Sequence, residues 1–142
     1  KISEHNEAER EKESAYNSAY FVLTDDRKIL YDRIDKRVDL MMQEGLLEEV
    51  NALRLRGLKR ESVAMQGLGY KELFGYFEGE YPLEEAVRII KRDTRHFAKR
   101  QLTWFRREKD VRWLDLDQYQ GNTDLILADI LKDCEQAEIV LK

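Results

Sequence analysis

A strongly basic stretch of helical periodicity is the feature of this sequence with the clearest chemical meaning. Between Arg88 and Arg107 the chain carries eight Lys or Arg residues and one acid, Asp93, a net charge of +7, whereas the chain of 142 residues has a net charge of −4. At about 100° per residue, five of these cations fall within about 40° of one direction on a helix. They are Arg88, Arg92, Arg95, Lys99 and Arg106. Such a face in an acidic chain predicts binding to a polyanion, and a solvated helix face is the alternative.

The last turns of this helix add groups that suit nucleic acid. Gln101 and Thr103 offer hydrogen bonds beside Lys99, Arg100 and Arg106. Cations, hydrogen-bonding groups and an aromatic ring together fit an unstacked base and its backbone. Trp104 falls on the apolar side of the helix, opposite the cations, so on pattern alone we interpret it, like Trp113, as a core residue.

Two arginines one helical turn apart form a second candidate site. Arg33 and Arg37 are four residues apart on a predicted helix, and Lys36 lies beside them. Two guanidinium groups at this spacing can bind a diphosphate in bidentate fashion, which lysines do less well. The alternative is a solvated helix whose arginines pair with local acids, and the spacing leaves both possibilities open. Those acids are Asp32, Asp35 and Asp39.

A glycine turn precedes a short predicted helix. Gly67-Leu68-Gly69 could present backbone N–H groups to a phosphate, or could simply join two helices. Its neighbours Gln66, Tyr70 and Lys71 offer an amide, a ring and a cation. No Ser-His-Asp set, zinc-ligand spacing or phosphate-loop motif occurs, so we predict no catalytic or metal-binding residue within this chain.

The elements that must position these residues follow from periodicity, caps and breakers. We predict a polar linker at residues 1–18, followed by one α/β domain at 19–142 that is mainly helical with two short strands. Because two strands do not make a stable sheet, we expect further strands outside this chain. The predicted strands are 19–23 and 112–116. The predicted helices are 26–44 (capped by Thr24 or Asp25), 46–56, a short one ending at Phe77, the basic helix 82–108, and 123–140, with a loop at 57–65.

Composition narrows the class of protein. Hydrophobic residues make up 42% of the chain, which indicates a globular protein rather than a disordered one. No apolar run approaches the roughly 20 residues of a membrane span, and no signal-peptide pattern occurs. A single cysteine cannot form an internal disulfide, and a content of only two histidines argues against a dedicated zinc site. We expect a cytoplasmic monomer.

Taken together, these segments resemble the C-terminal part of the bacterial tRNA dimethylallyltransferase family. The resemblance covers essentially the whole chain, and the string Lys-Arg-Gln-x-Thr-Trp-x-Arg after Gly-Tyr-Lys is specific to it. Residues 30–38 and 2–5 fit the family as well. The segments that carry it most clearly are 66–72, 76–79, 94–95 and 99–106.

The resemblance implies the C-terminal portion of a P-loop NTPase-like fold. It implies transfer of a dimethylallyl group from dimethylallyl diphosphate to the exocyclic amine of the adenosine 3′ of the anticodon, with Mg²⁺ assisting. An arginine of the Arg33–Arg37 pair, Arg33 in preference, would hold the diphosphate. Contacts to the tRNA anticodon arm would come from Gln66, Gly67, Leu68, Gly69, Tyr70, Lys71, Arg95, Lys99, Arg100, Gln101, Thr103, Trp104 and Arg106.

The chain departs from the family in lacking its N-terminal phosphate loop and its early catalytic Asp. We therefore expect a portion of a longer enzyme that is inactive alone and that contains no magnesium ligand. Two alternatives from other classes are a stand-alone RNA-binding module and a helical adaptor that binds an acidic protein. Steeply salt-dependent binding to an anticodon stem-loop would argue against the adaptor.

Overall fold

The structure, a computed structural model, describes residues 17–108 and 110–139, so most of the predicted linker lies outside the described residues. The described part is mostly helical with two strands, as predicted. Whether it belongs to a P-loop NTPase-like fold stays a prediction. In chain order the elements are β1 (Tyr20–Thr24), α1 (Arg27–Gln43), α2 (Leu46–Leu55), a 3₁₀ turn (Val63–Gln66), α3 (Tyr70–Phe77), α4 (Leu83–Phe105), β2 (Val111–Asp115) and α5 (Thr123–Gln136).

The described residues divide into two units, of which the smaller contains both strands and α5. Strands β1 and β2 pair in parallel, from Tyr20 opposite Val111 to Thr24 opposite Asp115. Each strand buries one apolar residue, Val22 and Leu114, while Trp113 is only partly buried. Parallel pairing requires a long crossover connection, and the helices between the two strands provide it.

The larger unit, Asp25 to Arg107, is a helical block with a continuous apolar core. Apolar residues at helical spacing place one side of each helix in this core; among them Val38, Val50, Leu73 and Ile90 are at most 2% exposed. Helix α4 packs against α1 and α3 through its first half, where Ala86 and Ile90 are buried.

Two ion pairs also join α1 to α4. Lys91 Nζ lies 2.6 Å from Asp39 Oδ1, and Arg95 Nη1 donates to Asp35 Oδ2 at 2.7 Å. The two acids, and the two cations, are each one helical turn apart. The pairs therefore form two successive contacts along one helix interface.

Several predicted boundaries are wrong by a few residues. Asp26, rather than Thr24 or Asp25, caps α1, because its carboxylate accepts the N–H groups of Lys28 (2.8 Å) and Ile29 (3.3 Å). Pro82 is the N-cap of α4 and not its first residue, and that helix ends at Phe105. Helix α5 ends at Gln136, and the predicted loop at 57–65 contains the start of the 3₁₀ turn. Frayed helix ends carry the weakest local signals, so errors concentrate there.

We expect Gly75→Ala to lower the free energy of unfolding of the helical unit by about 2 kcal/mol. A Cβ at Gly75 would clash with Tyr81 Oη, and the Tyr81 hydroxyl donates to the backbone oxygen of Glu72 at 3.0 Å. Ala is otherwise preferred to Gly within a helix, so a loss of stability must come from this contact. Urea denaturation measures it.

Gly67→Ala is the control, since its Cβ would meet only ordinary contacts, the nearest at 3.6 Å. Tyr81→Phe should cost about 1 kcal/mol, the loss of one hydrogen bond. If Gly75→Ala proved as stable as the parent chain, the close approach of Tyr81 would be refuted.

Candidate functional site

The last three turns of α4 are much more exposed than its first half. His96, Lys99, Arg100, Thr103, Trp104 and Arg107 line an open cleft of about 470 Å³. Trp104 is 54% exposed, so its interpretation as a core residue is wrong. The apolar periodicity of α4 continues to its end, but periodicity does not specify whether another element covers that face.

The structure sorts the predicted residues of this helix. Lys99, Arg100, Thr103 and Trp104 line the cleft together, whereas Gln101 and Arg106 are exposed outside its lining. The cleft adds two residues that the sequence did not single out, His96 and Arg107. Their helical spacing to Arg100, four residues before and seven after, was the available signal.

Acidic partners neutralise the first part of the basic face. Besides the pairs to α1, Arg88 Nε donates to Glu85 Oε2 at 2.7 Å and Arg92 Nε donates to Asp93 Oδ1 at 2.8 Å. These bonds raise the pKa of both arginines, and the Arg92 bond lowers the pKa of Asp93. The first half of this face therefore fits the alternative of a solvated helix face.

The positive charge that remains lies at the C-terminal end of α4. Among the described residues, Lys99, Arg100, Arg106 and Arg107 form no ion pair; the Arg100 guanidinium lies 5.8 Å from the centre of the Phe97 ring. Arg95, by contrast, is held by Asp35 and lies in a different cleft with residues of α1. The end of α4 is thus the better site for an anion.

A second cleft, of about 400 Å³, brings the predicted diphosphate-binding arginines next to the glycine turn. Its lining is mainly apolar, with guanidinium groups at Arg33 and Arg37. Such a cleft suits a ligand with a charged head and a short apolar tail. The lining residues are Arg33, Ile34, Arg37, Val38, Met41, Leu68, Ile90 and Thr94.

The two arginines are held differently. Arg33 Nη1 donates at 3.2 Å to Asp25 Oδ2, and the Asp25 side chain is 9% exposed, with its other oxygen accepting the Asp26 N–H at 2.9 Å. Arg37 lies 3.8 Å from Glu44, and both of these side chains are exposed. The Arg33 side chain is itself 62% exposed, but the less exposed Asp25 carboxylate orients it, and its other N–H groups remain available to an anion.

Two of the local acids considered as partners of these arginines bind other cations instead. Asp35 and Asp39 bind α4, and the acid that binds Arg33 is Asp25, which the sequence suggested only as a possible cap. Two adjacent acids before a helix were the available signal, because the cap needs only one of them.

The backbone of the glycine turn is engaged internally. The Gly69 N–H donates to Glu72 Oε2 at 2.8 Å, and the N–H groups of Tyr70 and Lys71 donate to Gly67 O at 3.2 and 3.4 Å. Of the three predicted N–H groups, that of Gly69 is therefore used within the turn, and phosphate binding by the turn stays a prediction. Gly69 has φ +98°, a backbone conformation that glycine adopts without steric cost, and this explains the glycine at this position.

Glu72 is a residue that sequence reasoning missed as part of this turn. Its side chain is 3% exposed, and Oε1 has no hydrogen-bond partner among the described residues, although Lys71 Nζ lies 3.4 Å away. An acid three residues after the N-cap is the sequence signal of a capping box. Glu72 thus fixes the turn and holds Lys71 beside it.

The remaining side chains of the turn have partners in neighbouring elements. The Gln66 side-chain amide donates to the backbone oxygen of Arg60 at 2.5 Å. The Tyr70 hydroxyl donates to the Glu49 carboxylate, and this bond raises the pKa of Tyr70. Contacts of these side chains with RNA stay predictions.

A metal site and a membrane-spanning helix each have structural requirements that can be compared with the described residues. They contain no group of three His, Cys, Asp or Glu side chains arranged to bind a metal ion. The cleft beside Arg33 has no carboxylate in its lining, so these residues alone do not fit Mg²⁺. No helix in the described ranges has the length and apolar character to cross a membrane.

Known sequences show strong similarity to this chain. The family model described as IPP transferase matches residues 1–108. The chain is 55% identical over 139 residues to the tRNA dimethylallyltransferase of Lachnoclostridium phytofermentans, covering 98% of the chain and 44% of that protein. It is 52% identical over 110 residues to that of Clostridioides difficile, covering 78% of the chain and 35% of the relative. The chain thus spans less than half the length of these relatives.

Solved structures agree with this similarity. The full-length tRNA isopentenylpyrophosphate transferase of Bacillus halodurans matches 96% of the chain and 46% of its own length, with a TM-score of 0.74 and 38% identity. The tRNA delta(2)-isopentenylpyrophosphate transferase of Staphylococcus epidermidis matches 95% of the chain and 43% of its own length, with a TM-score of 0.81 and 34% identity. On the family match and these relatives, the chain belongs to the IPP transferase family.

Proposed function

We propose that this chain is the part of a tRNA dimethylallyltransferase that binds the anticodon arm and contributes to the diphosphate pocket. The complete enzyme would transfer a dimethylallyl group from dimethylallyl diphosphate to the exocyclic amine of the adenosine 3′ of the anticodon. One observation supports this most: Arg33 and Arg37 share an apolar cleft with Leu68 of the glycine turn.

The chemistry of the cleft matches an allylic diphosphate. The tail of an allylic diphosphate is short and apolar, as is the part of the cleft lined by Ile34, Val38 and Met41. The diphosphate head is a polyanion that suits guanidinium groups. During transfer the amine nitrogen bonds to the allylic carbon while the carbon–oxygen bond to diphosphate breaks. Arg33, already oriented by Asp25, would stabilise the negative charge that develops on the leaving oxygen.

The C-terminal end of α4 would bind the RNA backbone. Lys99, Arg100 and Arg107 line its cleft without acidic partners among the described residues, so phosphates would meet little competition there. A base inside a folded loop must leave its stack to react, and RNA held on both sides of it makes that step easier. The group that accepts the amine proton is expected outside this chain.

A comparison of the complete protein with the 142-residue chain tests this function. We expect the complete protein to add a dimethylallyl group to tRNA, seen as a mass increase of one adenosine after nuclease digestion. The chain alone should bind an anticodon stem-loop, more weakly as salt rises, without transfer. Transfer by the chain alone, or none by the complete protein even with Mg²⁺, would refute the proposal. A tRNA lacking that adenosine is the control substrate.

A further inference from the structure

Trp104 is an exposed aromatic ring on an otherwise cationic surface. It is 54% exposed, although large aromatic side chains are usually mostly buried. Its ring contacts Phe105 edge to face, with ring centroids 5.2 Å apart and planes at 72°. This contact restricts the ring while more than half of the side chain stays accessible. An ordered and accessible ring loses little conformational entropy when a ligand stacks on it.

The surroundings of Trp104 indicate the class of ligand. Besides Trp104, its cleft is lined by Lys99, Arg100 and Arg107 and by the side chains of His96 and Thr103, with no carboxylate in the lining. An aromatic face bordered by cations suits a planar group attached to an anionic backbone. An unpaired nucleotide has both features, whereas an acidic peptide lacks the planar group at each residue.

A second exposed ring on the same side of α4 lies in a different environment. Phe97, seven residues before Trp104, is 45% exposed, but the Arg100 guanidinium lies 5.8 Å from its ring centre. A cation over one face of a ring competes with a base for that face. Trp104 has no such cation contact among the described residues. It is therefore the better stacking surface.

We propose that Trp104 is a platform on which a single unpaired base of the bound RNA stacks, while the neighbouring cations bind its backbone. This rests on the proposed function in requiring an RNA ligand, and it adds a defined subsite for one base. Replacing Trp104 removes no charge from the protein. The loss of stacking should therefore leave the salt dependence of RNA binding unchanged, whereas the loss of an electrostatic contact reduces it.

The test uses the complete protein and anticodon stem-loops that carry 2-aminopurine at one loop position at a time. Stacking quenches the emission of this base. We expect one position to be quenched by the parent protein and not by Trp104→Leu, with RNA affinity reduced about tenfold. Trp104→Phe should keep the quenching and most of the affinity. Phe97→Leu is the matched control and should change affinity less than threefold.

The salt dependence separates the roles of ring and charge. In Trp104→Leu the slope of log affinity against log salt should stay at the parent value, whereas Lys99→Gln should reduce it by about 0.7 to 0.9. RNA binding with unchanged affinity and quenching in a folded Trp104→Leu variant would overturn the platform alone. A structure of the complete protein in which another segment covers the Trp104 ring would also overturn the platform alone. Failure of the parent protein to bind RNA would overturn the proposed function as well.

Discussion

Arg33→Gln in the complete enzyme is expected to lower kcat/KM for dimethylallyl transfer about 100-fold, equivalent to about 2.7 kcal/mol of transition-state stabilisation. The Asp25 carboxylate orients the Arg33 guanidinium at the apolar cleft, and hydrogen bonds to a charged group are the stronger class. Gln keeps much of the side-chain length but removes the charge. Initial rates at varied dimethylallyl diphosphate, with RNA affinity measured separately, provide the data.

Lys36→Gln is the matched control, because it removes one positive charge from the exposed side of the same helix outside the cleft. It should change kcat/KM less than threefold. Arg37→Gln should cost less than Arg33→Gln, about tenfold, because only an exposed Glu44 at 3.8 Å restrains Arg37. Loss of RNA binding with unaltered use of dimethylallyl diphosphate would contradict the assignment of Arg33.

Reversing the charge of the three Lys and Arg residues in the α4 cleft should weaken RNA binding at least 100-fold. Lys99, Arg100 and Arg107 lie together without acidic partners among the described residues, so each Glu replaces an attraction to phosphate with a repulsion. With three phosphate contacts removed, the slope of log affinity against log salt should become shallower by about 2 to 3. Fluorescence anisotropy of a labelled anticodon stem-loop, titrated at several salt concentrations, measures both quantities.

Lys132→Glu is the matched control, because it reverses the charge of an exposed lysine on α5, outside the cleft that Lys99 lines. It should leave RNA affinity within about twofold of the parent value. Arg95→Glu is expected to behave differently, because it places a second carboxylate against Asp35 and thereby destabilises the contact between α1 and α4. An equal loss of affinity in the Lys99 and Lys132 variants would show that net charge, rather than this cleft, governs binding.

Local sequence was sufficient to predict the helices and strands. The stripe of Ile34, Val38 and Met41 predicts the buried side of α1 because residues three and four apart share one face of a helix. The turn at Gly121 and Asn122 is followed by α5, whose cap is the Asn122 side chain, which accepts the N–H groups of Asp124 and Leu125. These features depend on neighbours within a few residues.

The resemblance to the tRNA dimethylallyltransferase family could also be identified from the sequence, because it depends on the order of short motifs along the chain rather than on contacts between them. The sequence by itself therefore determined the helical character, the two strands and the membership of the IPP transferase family. It also predicted the basic face of α4, but it did not distinguish the ion-paired cations of the first half from the cations at the C-terminal end.

Only the tertiary structure decided which of the candidate groups remain available to a ligand. It placed Asp35 against Arg95, sixty residues away, and Asp25 against Arg33, and it paired the Gly69 N–H of the glycine turn with the Glu72 carboxylate. It also left Trp104 exposed although the helical periodicity favoured burial. The physical reason is that periodicity fixes the direction of a side chain on its own helix, whereas the group it meets there depends on how distant helices pack.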